Sequence, residues 1–160
     1  PTGTPEEMIE SIKRGQEKGE TIHTCKIGAD VALDIERIKA IGAYLPANES
    51  ATFDVNRAWL VDEAIRVMNA VTENISYFEQ PCETYEECLQ VRQLTSHPII
   101  LDECIQGYGH IVRAQGDRAC EAIGLKIGRV GGLTKAKRIR DFCVETGIRM
   151  NIEVTGGSVI

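Results

Sequence analysis

Five ionisable residues close short apolar runs at nearly even steps along this chain: Lys26, Asp54, Glu79, Asp102 and Lys126, with successive gaps of 28, 25, 23 and 24 residues. A step of that size is about one strand plus one helix, the repeating unit of a parallel barrel. If each run is a strand, all five side chains stand at the same end of the barrel. There three carboxylates can hold a metal ion, with an amine on either side.

The segments between these residues carry helix signals. Thr4-Pro5-Glu6-Glu7 has a capping threonine, a proline suited to the first helical position and a glutamate that completes a capping box. Met8, Ile9 and Ile12 fall on one face of the helix it opens, and Gly19 is a plausible stop. Thr21 to Lys26 reads as a strand, and Asp30 to about Gly42 as a helix with Val31, Ile35 and Ile38 inward. The pattern repeats as strand 51–54, helix 57–71 with Leu60, Ala64 and Met68 on one side, and strand 75–79. A second capping box, Thr84-x-x-Glu87, leads a helix with Leu89 and Leu94. Strand 98–102 follows, with Pro98 at its first residue, where proline is tolerated. A short helix over 107–114, strand 122–126, a helix from Leu133 to Thr146 stopped by Gly147, and strand 149–153 complete the series.

Strands alternating with helices predict an α/β fold with a parallel sheet. The rival to a barrel is an open doubly wound sheet, which carries a Gly-rich phosphate loop near its first strand. No G-x-G-x-x-G follows any strand here, and the ionisable residues are spread over five strand ends, so the expectation is a partial TIM-like barrel. The pairs Gly131-Gly132 and Gly156-Gly157 could cradle a phosphate, but tight turns account for them better.

Composition narrows the function. With 160 residues the chain is long enough for one domain with a sizeable core. Acidic residues outnumber basic ones 24 to 18, a net charge of -6 that argues against a nucleic-acid surface. No apolar stretch approaches the roughly 20 residues of a membrane span. The six cysteines form no C-x-x-C pair, which favours reduced thiols in a cytoplasmic protein over a disulfide framework. The chain opens on Pro1 and closes after a strand without a following helix, so it is expected to belong to a longer protein.

Asp54, Glu79 and Asp102 are hard oxygen donors of the kind Mg²⁺ prefers. A single strand-end acid is often only a helix cap, but three in register, which would repel one another without a cation, favour metal binding. No histidine stands at a matching position, which disfavours zinc. Asn56 and Glu103, beside the first and third acids, suit either ligand orientation or capping. A lysine partly desolvated near a divalent cation loses affinity for its proton and can act as a base. Lys26 and Lys126 are therefore candidate acid/base groups. The alternatives are simple ion pairs with neighbouring carboxylates and, less favoured, a Schiff-base lysine.

These residues resemble the enolase superfamily in its mandelate racemase and muconate lactonizing branch. The matching segments are Thr24-Cys25-Lys26-Ile27-Gly28-Ala29, Phe53-Asp54-Val55-Asn56-Arg57-Ala58-Trp59, Phe78-Glu79-Gln80-Pro81, Ile100-Leu101-Asp102-Glu103, and Leu125-Lys126-Ile127 with Val130-Gly131-Gly132. The resemblance implies strands two to seven of a modified (β/α)7β barrel, with a separate N-terminal capping domain outside these residues. It implies Mg²⁺ held by Asp54, Glu79 and Asp102, with Lys26 and Lys126 as the acid/base pair. The implied reaction removes the proton next to a carboxylate and forms an enediolate, followed by dehydration, racemisation, or opening or closing of a ring. Relatives are commonly oligomers. Thr24 stands where muconate-type relatives carry a further lysine. Only Glu153 remains of an acidic pair on the strand that ends the chain, where it could bind a substrate amine or cap a helix. Within the branch, Glu79-Gln80-Pro81-Cys82-Glu83-Thr84-Tyr85-Glu86-Glu87-Cys88 and Met150-Asn151-Ile152-Glu153 look most like the group acting on proline derivatives, namely cis-3-hydroxyproline dehydratases and hydroxyproline-betaine epimerases.

Overall fold

The computed structural model describes residues 2–72 and 77–153, which divide into two compact units meeting at Pro98 and Ile99. The first unit contains α1 (Pro5–Gln16), β1 (Ile22–Lys26), α2 (Val31–Tyr44), β2 (Ser50–Asp54), α3 (Val61–Ala70), β3 (Tyr77–Glu79) and α4 (Tyr85–Leu94). The second contains β4 (Ile99–Leu101), α5 (Tyr108–Gly116), β5 (Ala122–Lys126), α6 (Leu133–Thr146) and β6 (Arg149–Glu153).

Within the first unit β1 pairs with β2 and β2 with β3, all parallel. The register sets Lys26 opposite Asp54 and Asp54 opposite Glu79, so three of the five sequence-selected residues form one row at the strands' C-terminal ends. Burial alternates along β1, with His23 and Cys25 inside and Thr24 and Lys26 on the open face. Phe53 and Phe78 are fully buried with ring centres 5.9 Å apart, and Trp59 lies 6.0 Å from Phe78. Each such ring is worth about 1.5–3 kcal/mol in burial, so this cluster anchors the strands that carry the row.

In the second unit β4 and β6 flank β5, again parallel, over a core that includes Ile99, Leu101, Ile111, Ile123 and Ile139. The register pairs Lys126 with Glu153.

Local chemistry explains the element boundaries. Both capping boxes form: Glu7 N–H donates to the Thr4 hydroxyl and Thr4 N–H to the Glu7 carboxylate, and Thr84 and Glu87 do the same. α6 stops at Gly147, whose φ of 78° is the left-handed conformation that ends a helix. Gly131 and Gly132 have φ of 87° and 104°, so this pair makes a turn that only glycine adopts without strain.

One helix begins later than its sequence pattern predicts. Residues 57–60 are loop rather than the start of α3, because their backbone donors are used elsewhere. Arg57 N–H donates to the Gln80 carbonyl at 2.9 Å and Trp59 N–H to the Pro81 carbonyl at 3.2 Å. Asn56 and Arg57 take left-handed φ of 48° and 70°, which no helix start accommodates. Leu60 is consequently an exposed N-cap position rather than a core residue. Leu94, at the end of α4, is also exposed, and Tyr85, Cys88 and Val91 form the buried face of that helix. Ile75 and Ser76 of the expected third strand, and Gly156-Gly157, lie outside the described residues.

Candidate active site

Each candidate residue sits where a strand gives way to a loop. Asp54, Glu79 and Asp102 are 5%, 3% and 1% exposed, so all three carboxylates are withdrawn from bulk water. A buried carboxylate requires a countercharge or several donors. The structure supplies both from the chain itself.

In the first unit the Lys26 ammonium forms an ion pair with Asp54 Oδ2 and donates to Asn56 Oδ1 at 2.9 Å. Asn56 N–H donates to Asp54 Oδ1 at 3.0 Å. The left-handed turn at Asn56 thus folds the chain back so that one residue touches both the candidate base and a candidate ligand. Its backbone N–H meets the Asp54 carboxylate and its side chain the Lys26 amine. Glu79 lies beside Asp54 in the sheet and is followed by Gln80, which is buried and held at φ 39°. The Gln80 amide donates to the Cys82 carbonyl at 3.0 Å.

In the second unit Lys126 Nζ lies 2.5 Å from Asp102 Oδ2 and 3.2 Å from Glu153 Oε2. Arg129 Nη1 donates to Asp102 Oδ1 at 2.6 Å and to the Asp102 carbonyl at 2.7 Å. Arg129 did not stand out in the sequence. The available signal was its place three residues beyond Lys126 and just before the glycine pair. Val130 N–H donating to the Lys126 carbonyl at 3.2 Å closes a turn there, and Arg129 points back at Asp102. Glu153 also differs from both of its expected roles, because it pairs with Lys126 while Asn151 donates to it at 3.1 Å.

The Lys126 amine is held between two carboxylates. Burial works against its charge, but hydrogen bonds and charge from Asp102 and then Glu153 outweigh burial and hold the amine above the ordinary lysine value. The two lysines also differ in exposure, the Lys26 side chain being 47% and the Lys126 side chain 15% exposed.

Among the described residues no three His, Cys, Asp or Glu side chains form a ready-made metal cage. Asp54 and Asp102 are turned instead toward Lys26, Lys126 and Arg129. The donor chemistry nevertheless fits a hard divalent cation, since all three groups are buried, anionic oxygen donors at strand ends. The cysteines offer no competing soft site: all six are free thiols, and Cys25, Cys82, Cys88 and Cys143 are buried.

The chain belongs to the enolase C-terminal domain-like family, whose model matches residues 7–160. It is 43% identical over 157 residues to a cis-3-hydroxy-L-proline dehydratase of Roseibium aggregatum, covering 98% of this chain and 43% of that protein. A solved enolase-superfamily structure from Roseovarius nubinhibens, complexed with magnesium, aligns with 98% of this chain and 43% of its own at 43% identity and a TM-score of 0.94. A mandelate racemase/muconate lactonizing enzyme from the same organism aligns at 39% identity and a TM-score of 0.85, covering 94% of this chain and 42% of that one. The α/β class and the partial TIM-like barrel expected from the sequence are therefore established, as is the mandelate racemase/muconate lactonizing branch. The chain spans less than half the length of the relatives it matches.

Proposed function

We propose that this chain is the catalytic-barrel part of a magnesium-dependent enzyme that removes the proton next to the carboxylate of a small amino acid. The capping domain of the longer protein would lie outside these residues. The reading rests chiefly on one repeated observation: in each unit a strand-end lysine is docked on a strand-end carboxylate, Lys26 on Asp54 and Lys126 on Asp102.

Asp54, Glu79 and Asp102 would hold Mg²⁺. When bound, the ion supplies positive charge against the negative charge that develops on the substrate carboxylate. Lys26 and Lys126 exchange the proton at Cα, one lysine serving each face of the substrate. Asn56 steadies the Lys26 amine by accepting a hydrogen bond from it. Arg129 steadies the Asp102 carboxylate.

The favoured reaction is dehydration of cis-3-hydroxy-L-proline, the activity named for the Roseibium relative at 43% identity. A β-hydroxyl leaves once the α-proton has been removed. The second reading is racemisation or epimerisation of an amino acid or a proline betaine. It is favoured by the presence of two strand-end lysines rather than one. No helix among the described residues is long and apolar enough to cross a membrane, and the buried free thiols support a cytoplasmic setting.

Incubating the full-length protein with Mg²⁺ and cis-3-hydroxy-L-proline in D₂O separates these readings. Loss of water with a cyclic imine or keto product supports the dehydratase. Deuterium at Cα of unreacted or inverted substrate without elimination identifies the epimerase. Lys26→Ala is expected to reduce exchange at one face by at least about a hundredfold while calorimetric Mg²⁺ binding persists. Unchanged exchange would remove Lys26 from the mechanism. The 160-residue chain alone is expected to turn over weakly, and turnover equal to that of the full-length protein would refute this.

A further inference from the structure

We infer that Asp34 is a positioning residue for Lys26, a buried tie that fixes the two loops between which the Lys26 amine is held. This rests on the assignment of Lys26 as an acid/base group.

Asp34 lies in the first turn of α2 and is fully buried, an unusual place for a carboxylate. Its oxygens accept from three directions. Oδ2 takes the backbone N–H of Gly28 at 2.8 Å and the indole N–H of Trp59 at 3.1 Å. Oδ1 takes Arg37 Nη1 at 3.0 Å, and Arg37 Nε in turn donates to the Gly3 carbonyl at 2.7 Å. One carboxylate therefore joins a helix to two separate loops.

Those loops are the ones that bound the Lys26 site. Gly28 is two residues beyond Lys26. Trp59 is three residues beyond Asn56, whose side chain accepts from the Lys26 ammonium. The loops also press directly on each other: a Cβ on Gly28 would lie 2.7 Å from the Ala58 Cβ and 3.0 Å from the Val55 carbonyl, and Gly28 has a φ of 111°. Gly28 and Trp59 meet on a single oxygen, so the backbone leaving β1 and the backbone leaving β2 cannot shift independently. The amine at the end of β1 and its two acceptors, Asp54 and Asn56, are thereby held in mutual register. Shifts of about an ångström at a reacting group can cost about a hundredfold in rate, so such a tie acts on catalysis without touching substrate.

The test uses two variants in the full-length protein, Asp34→Asn and the milder Trp59→Phe, which removes a single donor and covers the case in which the first fails to fold. The first readout needs no substrate. The lysines are ¹³C-methylated and the Lys26 signal is followed by NMR, assigned with Lys26→Arg. The inference expects this signal to move in both variants while that of Lys126 stays in place. If the Lys26 signal is unmoved, or both signals move together, the tie does not act on Lys26 and the inference is overturned. The second readout is deuterium exchange at Cα of L- and D-proline in D₂O, one enantiomer for each face. Exchange at the Lys26 face is expected to drop ten- to a hundredfold with the other face within about twofold and KM little changed. Equal losses at both faces, or none, would mean that Asp34 is merely structural. If the unaltered protein exchanges neither enantiomer while the NMR signal behaves as expected, the proposed use of Lys26 fails and the tie itself stands.

Discussion

Gly124 has no side chain because Asp102 lies across it: a Cβ there would stand 2.5 Å from Asp102 Oδ1 and 2.9 Å from its Cγ. Gly124→Ala must therefore push the carboxylate off the Lys126 and Arg129 contacts it now makes. The expected cost is about 1–3 kcal/mol in urea denaturation, with weakened Mg²⁺ binding by calorimetry. Wild-type values for both would show that Asp102 has room to move. The buried thiols have a consequence of a different kind. Burial pushes Cys25 and Cys143 from the ordinary 9.0 up to about 11. A raised pKa in the folded state means that the fold favours the protonated thiol. This contribution is fully present below pH 9 and is lost as the pH climbs through about 11. At pH 8 iodoacetamide is expected to label the half-buried Cys104 and Cys120 well before Cys25 or Cys143, as peptide mass mapping would show. Rapid labelling of the buried pair in the folded protein would contradict the burial of Cys25 on β1 and Cys143 on α6.

At the scale of elements, α3 begins on half a cap. Leu60 occupies its N-cap, makes no side-chain cap and leaves only the Glu63 carboxylate to accept the Leu60 N–H at 2.8 Å. Leu60→Ser would complete the box already present at Thr4 and Thr84, and is expected to stabilise the protein by about 0.5–1 kcal/mol in thermal or urea unfolding. The same helix shows where sequence reading reaches its limit. α6, β5 and β6 carry their own boundary signals, a glycine stop and short apolar runs, and their limits follow from the sequence alone. The start of α3 does not. The acceptors that hold residues 57–60 in a loop are carbonyls of Gln80 and Pro81, far along the chain, and a periodicity of apolar residues carries no information about them. Arg129 and Asp34 were missed for the same reason. Neither belongs to a strand-end series or a cap, and each acquires its role only from what the tertiary fold brings within hydrogen-bond reach.

Across the molecule, the five spaced residues were legible because a repeating architecture writes its period into the sequence, and each now stands at a strand end with a defined partner or neighbour. Their partners were less legible: Lys126 lies between Asp102 and Glu153, which outweigh burial and hold its amine above the ordinary lysine value. The ion pairs Lys26–Asp54, Lys126–Asp102 and Arg129–Asp102 also bear on folding. Treatment with EDTA is expected to leave the far-ultraviolet circular dichroism intact. The loss of stability should be no more than mass action allows, about 2.7 kcal/mol for an ion present at a hundred times its Kd. Unfolding on chelation would mean that the resident amines and guanidinium cannot hold the acids.

The same ion pairs set a condition on the proposed function. Lys26 on Asp54, and Lys126 with Arg129 on Asp102, already neutralise two of the three acids. A divalent cation seated there would have to displace an amine, so under that proposal its affinity would be the difference between two strong attractions and would fall as competing monovalent charge is added.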